Sequence, residues 1–149
     1  MMTTKTENLV KLLNQLLADY QLYYQNLRGF HWNIKGHLFF QLHDKFEELY
    51  REASETVDEI AERVRSLGAT PLHTLEDYTA QAQIKSAKDV NNGETAVKLT
   101  LDNSEVLLKD LNKLLQELEG EDDEATLTLV SDQITVTEKR IWMLKAFLG

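Results

Sequence analysis

The stretch GFHWNIKGHLFFQLHDKFEELY, Gly29 to Tyr50, decides how the chain folds. It closes one long apolar pattern, breaks at Asn33 and Gly36, and opens a second. Two helical patterns on either side of a glycine turn predict an antiparallel helical hairpin. The same stretch holds His31, His37 and His43 of a chain with only four histidines. His31 lies about as far before the Gly36 turn as His43 lies after it, so the hairpin sets those two imidazoles at similar height.

Working outward, Thr4 and Glu7 have capping-box spacing. Leu9, Leu12, Leu13, Leu16, Tyr20, Tyr23, Tyr24, Leu27 and Phe30 then recur every three or four residues, which predicts the first helix. The second carries Leu42, Phe46, Leu49, Ala53, Val57, Ile60, Val64 and Leu67, and ends where Gly68 supplies a C-terminal glycine and Pro71 forbids continuation. From Gly68 to Gly93 the pattern is weak. A crossover of about 25 residues exceeds the usual helix connection, which predicts a short helix near Leu75 to Ala82 and long helices pointing the same way on either side. A third long helix is expected from near Glu94 to Glu119, with Leu99, Val106, Leu107, Leu111, Leu114, Leu115 and Leu118 facing the core. The acidic break at Gly120 to Glu124 starts a fourth, bearing Leu127, Val130, Ile134, Ile141, Trp142, Leu144 and Phe147. Four long helices with one long crossover describe an all-α, ferritin-like four-helix bundle.

Composition agrees. A chain of 149 residues with one proline and six glycines suits a single, mostly helical domain spanning 1–149. The absence of cysteine excludes disulfides, thiolate catalysis and sulfur-bound zinc, so any metal must be held by His, Asp and Glu. No apolar run approaches the roughly 18 residues that span a bilayer, and the polar start MMTTKTENL is unlike a signal peptide, so the expected location is the cytoplasm, with no membrane partner. A formal net charge of -9 favours attraction of cations and opposes non-specific binding to a polyanion.

On a helical projection from His43, the residues Glu47, Asp58 and Glu62 fall within a sector about 100° wide, beside the apolar stripe of the second helix. His43/Glu47 and Asp58/Glu62 are both i,i+4 pairs, the spacing that lets two side chains reach one ion from adjacent turns. Yet His43 and the Asp58/Glu62 pair are separated by roughly 17 residues, or about 25 Å, whereas metal–ligand bonds are about 2 Å. One chain cannot join them. An antiparallel pairing of two such helices about a two-fold axis does, setting His31 and His43 of one subunit opposite Asp58 and Glu62 of the other, twice per dimer. No histidine has a glutamate three positions before it, so the Glu-x-x-His centre of ordinary di-iron bundles is not expected within the subunit.

The run Asn26-Leu27-Arg28-Gly29-Phe30-His31-Trp32 is one part of a longer likeness. It continues in Gly36, Phe40, Leu42-His43, Phe46, Tyr50, Asp58-Glu59-Ile60-Ala61-Glu62-Arg63 and Leu67-Gly68-Ala69-Thr70-Pro71, and resembles the Dps family, the miniferritins. Ile141-Trp142-Met143-Leu144-Lys145-Ala146-Phe147 extends the resemblance to the end of the chain. The resemblance implies a hollow homododecamer with ferroxidase centres at two-fold interfaces. His31 and His43 would come from one subunit, Asp58 and Glu62 from its partner, and Glu47 would be a looser ligand. It also implies Fe(II) oxidised by hydrogen peroxide in preference to dioxygen, Fe(III) stored as mineral, and Trp32 absorbing stray oxidising equivalents. Imidazole and carboxylate ligands suit iron, with zinc a possible substitute. Direct DNA binding is expected to be weak or absent. The segment before the first helix has only Lys5 among its basic residues, the chain stops at Gly149, and an acidic shell repels phosphate.

Each feature also has a plainer reading. Asp58 and Glu62 could form a solvated face paired to Arg65 or Lys45, and Trp32 could be an interface aromatic. His37, at the turn, and His73, after Pro71, are expected to be exposed. Glu121, Asp122, Asp123 and Glu124 suit a helix N-terminus, or else line a three-fold iron-entry pore with Asp132 as a second ring. A structural shell, or a nucleoid-associated DNA binder with little catalysis, is the competing function.

Overall fold

The computed structural model describes residues 2–149. Its helices are α1 (Thr4–Asn33), α2 (Phe39–Ser66), α3 (Leu75–Gln81), α4 (Gly93–Glu117) and α5 (Glu124–Leu148). The two halves of the Gly29–Tyr50 stretch lie on α1 and α2, joined through Gly36 at φ +112°, a conformation that favours glycine. At the far end of α2 the amide of Gly68 donates to the carbonyl of Arg65, and that of Ala69 to the carbonyl of Val64. With Gly68 at φ +89°, these bonds form a Schellman stop. The first helix begins one residue earlier than the Thr4/Glu7 spacing predicts. Thr3 is the N-cap and its hydroxyl accepts from the amide of Thr6, because Thr3, in extended conformation, is the residue whose side chain faces that orphan donor.

Helix α1 is the hub, packing against α2, α4 and α3, while α5 packs on α4. Five consecutive residues of α1, Leu16 to Tyr20, are buried, as a helix enclosed on several sides requires. The core joins Leu13, Leu16, Leu27 and Phe30 of α1 to Phe46, Ile60 and Val64 of α2, Leu107, Leu111 and Leu114 of α4, and Val130 and Leu144 of α5. The amide of Lys35 donates to the carbonyl of Asn91, so α4 starts beside the turn where α2 starts and the two run the same way. The crossover joining them is laced onto α1 by buried polar groups. Asp19 Oδ1 accepts from the amides of Gln83 and Ile84, and the Asn26 side chain bonds the carbonyl of Lys85 and the amide of Ala87. Each bond satisfies a backbone group that the irregular chain would otherwise leave unpaired.

Helix α5 corrects the expected core. Trp142 is 65% exposed, and Phe147 is exposed too. The buried seam runs through Thr126, Val130, Thr137, Arg140 and Leu144, in steps of four, seven, three and four residues that keep to one helix face. Polar side chains hold part of that seam because they bond within the bundle: Arg63 donates to Thr126, and Arg140 to Ser104. Leu115 of α4 likewise faces outward. No helix among the described residues is long and apolar enough to cross a membrane.

Candidate metal centre

Two imidazoles meet where α1 ends and α2 begins. The rings of His31 and His43 stack with centroids 3.7 Å apart and planes 13° from parallel. Nδ1 of His31 donates to the carbonyl of His43 at 2.7 Å, and Nδ1 of His43 returns a bond of the same length to the carbonyl of His31. A carbonyl can only accept, so each Nδ1 carries a proton and Nε2 is the ring nitrogen left to ligate a metal. The second bond has a local cause. His31 is in the last turn of α1, where carbonyls lack helical partners, and His43 fills one of those vacancies from the next helix.

Aromatic neighbours fix the pair. Phe39, one turn before His43 on α2, stacks on it at 4.9 Å, and the ring of Tyr50 meets His31 edge-on at 5.3 Å. His31 is 6% exposed. Glu47 completes this end: its Oε1 is 3.6 Å from His31 Nε2, while its other oxygen is held by Arg51 at 3.3 Å. The two imidazoles are thus held by their surroundings, with Glu47 close to one of them. Trp32, next in sequence, points outward and is 55% exposed, with the Arg28 guanidinium 4.8 Å from its ring centroid.

Asp58 and Glu62 lie more than four turns further along α2, roughly 22 and 28 Å from His43 at 1.5 Å per residue. Both are exposed. Hydrogen bonding to Asp58, and then the charge of that carboxylate, hold the Glu62 carboxyl above the usual carboxylate range. Two acids one turn apart without a cation between them behave this way. Among the described residues no three His, Asp or Glu side chains gather to hold a metal, so the chain closes no centre by itself.

The remaining predicted residues separate. His37 and His73 are exposed. Asp123 is the N-cap of α5, bonded to the amide and hydroxyl of Thr126 and paired with Arg63 at 3.2 Å. Burial alone would raise its carboxyl, but those Thr126 bonds and Arg63 hold it below its ordinary range. Glu121 reaches Lys5 at 3.8 Å, whereas Asp122, Glu124 and Asp132 are exposed. Phe39 and Tyr50, which brace the histidines, received no role from the sequence reading. Their signal was position: Phe39 precedes His43 by four residues and Tyr50 follows Glu47 by three, so all share a helix face.

Against known proteins, residues 10–149 match the ferritin-like domain family. The chain is 37% identical over 143 residues to DNA protection during starvation protein 2 of Bacillus anthracis, covering 96% of this chain and 98% of that one. Among solved structures, it superposes on a Dps protein from Vibrio cholerae O1 with TM-score 0.96 and 42% identity, covering 98% of this chain and 92% of the other. That protein is described as a member of a broad superfamily of ferritin-like diiron-carboxylate proteins. A Dps protein from Bacillus brevis is similar over the full length of both chains, with TM-score 0.95 and 38% identity.

Proposed function

The chain belongs to the Dps family of ferritin-like proteins, and from that premise we propose that it is a ferroxidase that oxidises Fe(II) and stores Fe(III) within a cytoplasmic homododecamer, protecting DNA by removing iron and peroxide. The observation that carries this reading is the split of the ligands between two distant ends of α2. A prebuilt imidazole pair at one end and an open acid pair at the other form a site when two α2 helices pair antiparallel about a two-fold axis. His31, His43 and Glu47 then face Asp58 and Glu62 of the partner subunit, and each dimer holds two such sites. That donor set suits iron.

Iron is substrate and cargo here. Nε2 of His31 and His43 bind it, and the carboxylates offset its charge. Hydrogen peroxide is the preferred oxidant over dioxygen. Two Fe(II) each give one electron, the O–O bond breaks, and two protons complete two molecules of water. No hydroxyl radical leaves in that balance, and Trp32 beside the site absorbs any one-electron oxidant that escapes it. Asp122, Glu124 and Asp132 favour Fe(II) entry at a three-fold pore, with Asp123 serving as the helix cap. Net charge disfavours direct DNA binding.

Stopped-flow absorbance of Fe(II) oxidation by metal-free protein, with peroxide and with dioxygen, tests this beside a His31→Ala/His43→Ala variant. The expected result is rapid, peroxide-preferring oxidation that falls about 100-fold or more in the variant. Equal, slow rates in both proteins would favour a structural or zinc-holding shell instead.

A further inference from the structure

Arg140 lies 9% exposed between α4 and α5. Its Nε donates to Ser104 Oγ at 3.0 Å, and its Nη2 reaches Thr137 Oγ1 at 3.5 Å. The guanidinium sits 5.0 Å from the centroid of the Tyr23 ring. No ion pair among the described residues includes it. Buried charges are ordinarily paired, and a guanidinium has five N–H donors, so this one keeps donors to spare. Tyr23 is buried as well, and its hydroxyl has no hydrogen-bond partner.

Both side chains line a cleft. Two adjoining cavities of about 320 and 190 Å³ open between α2 and α5 and share Leu49, Glu52, Val136 and Arg140. Lys45 and Lys139 join Arg140 on the larger, while Tyr23, Glu55 and Glu59 line the smaller. A guanidinium with donors to spare and no carboxylate in direct contact favours an oxyanion, which it can grip with two parallel bonds. The carboxylates on the opposite wall favour a hard cation. Fe(III) and phosphate, which bind each other strongly as hard acid and hard base, satisfy both walls together.

We propose that this cleft binds inorganic phosphate on Arg140, beside Fe(III) held by Glu52, Glu55 and Glu59. The Fe(III) half rests on the iron-storage reading, whereas the anion half does not. The phosphate becomes a second cargo of the protein, seated where its charge is neutralised.

Equilibrium dialysis with labelled inorganic phosphate tests the proposal on the assembled, metal-free protein and again after Fe(III) loading. Wild type should hold phosphate in both states, and more tightly with iron. Arg140→Gln should weaken binding about ten-fold or more, Arg140→Lys much less, and Tyr23→Phe by a few-fold. Equal phosphate retention by wild type and Arg140→Gln overturns the proposal, and so does binding that appears only with bulk mineral and is unchanged by Tyr23→Phe. If Arg140→Gln fails to fold, as its melting curve would reveal, Tyr23→Phe and Arg140→Lys decide by the same criterion. Iron oxidation is measured on the same samples. A wild type that binds phosphate without oxidising iron sinks the ferroxidase reading and the Fe(III) half, and leaves the Arg140 anion site standing.

Discussion

The two ends of α2 are built on opposite plans. At the N-terminal end, His31 and His43 stack, exchange bonds to each other's carbonyls and are braced by Phe39 and Tyr50, so both rings are held within the single subunit. At the other end, Asp58 and Glu62 are exposed, and hydrogen bonding to Asp58, then the charge of that carboxylate, keep the Glu62 carboxyl protonated to higher pH than usual. Imidazoles can bond carbonyls through Nδ1 and pack on each other within one subunit. Two carboxylates at one point resist that treatment unless they are left in water or share a proton.

A third pair sharpens the contrast and carries the largest expected effect. Asp19 and Asp110 are buried where α1, α4 and the crossover meet, and one oxygen of Asp110 has no partner. Burial, followed by hydrogen bonding to Asp19 and its charge, pushes Asp110 up to about 9. In the unfolded chain the group titrates near its ordinary value of 3.8, so between about pH 4 and about pH 9 the folded state binds the extra proton. That stability is fully present below the lower value and is lost as pH rises toward the upper one. Asp110→Asn keeps a donor for Asp19 and removes the proton linkage. Denaturant midpoints over this range should fall steeply for wild type and stay nearly flat for the variant; parallel profiles would refute the shared proton.

A smaller effect separates the two ends themselves. His43→Ala removes the ring stack and leaves the His31 carbonyl at the α1 terminus unpaired, which should destabilise the fold by about 1–3 kcal/mol. Asp58→Asn, at an exposed position, should change stability by less than about 0.5 kcal/mol. Thermal melts of the two variants below the concentration of assembly read the difference. Equal losses would mean that the imidazole end is no more prebuilt than the acid end.

Much of this was legible in the chain itself. The periodicities on either side of Gly36 and the Gly68/Pro71 stop place α1 and α2 within a residue or two, and even α3 falls at its expected Leu75 start. Position on α2 likewise showed that His43 and Asp58 never meet in one subunit, since rise per residue is fixed. Buried polar groups were not legible. Asp19, Asn26 and Arg140 read as surface residues in a pattern that scores hydrophobicity, because their partners lie about 36 to 65 positions away or on irregular backbone. Trp142 and Phe147 misled in the other direction. Apolar residues on α5 fall on two faces, Val130 and Leu144 entering the core while Trp142 and Phe147 point out of the subunit.

Each proposed site takes its histidines from one subunit and its acids from another. Neither His31→Ala nor Asp58→Ala shells should oxidise Fe(II) appreciably. The most direct test unfolds the two variants together, reassembles them at equal amounts, verifies mixed shells by mass, and records Fe(II) oxidation with peroxide. Random pairing leaves one intact site in each mixed dimer, so about a quarter of wild-type activity should return. Mixed shells that remain as inactive as either parent would contradict the shared site.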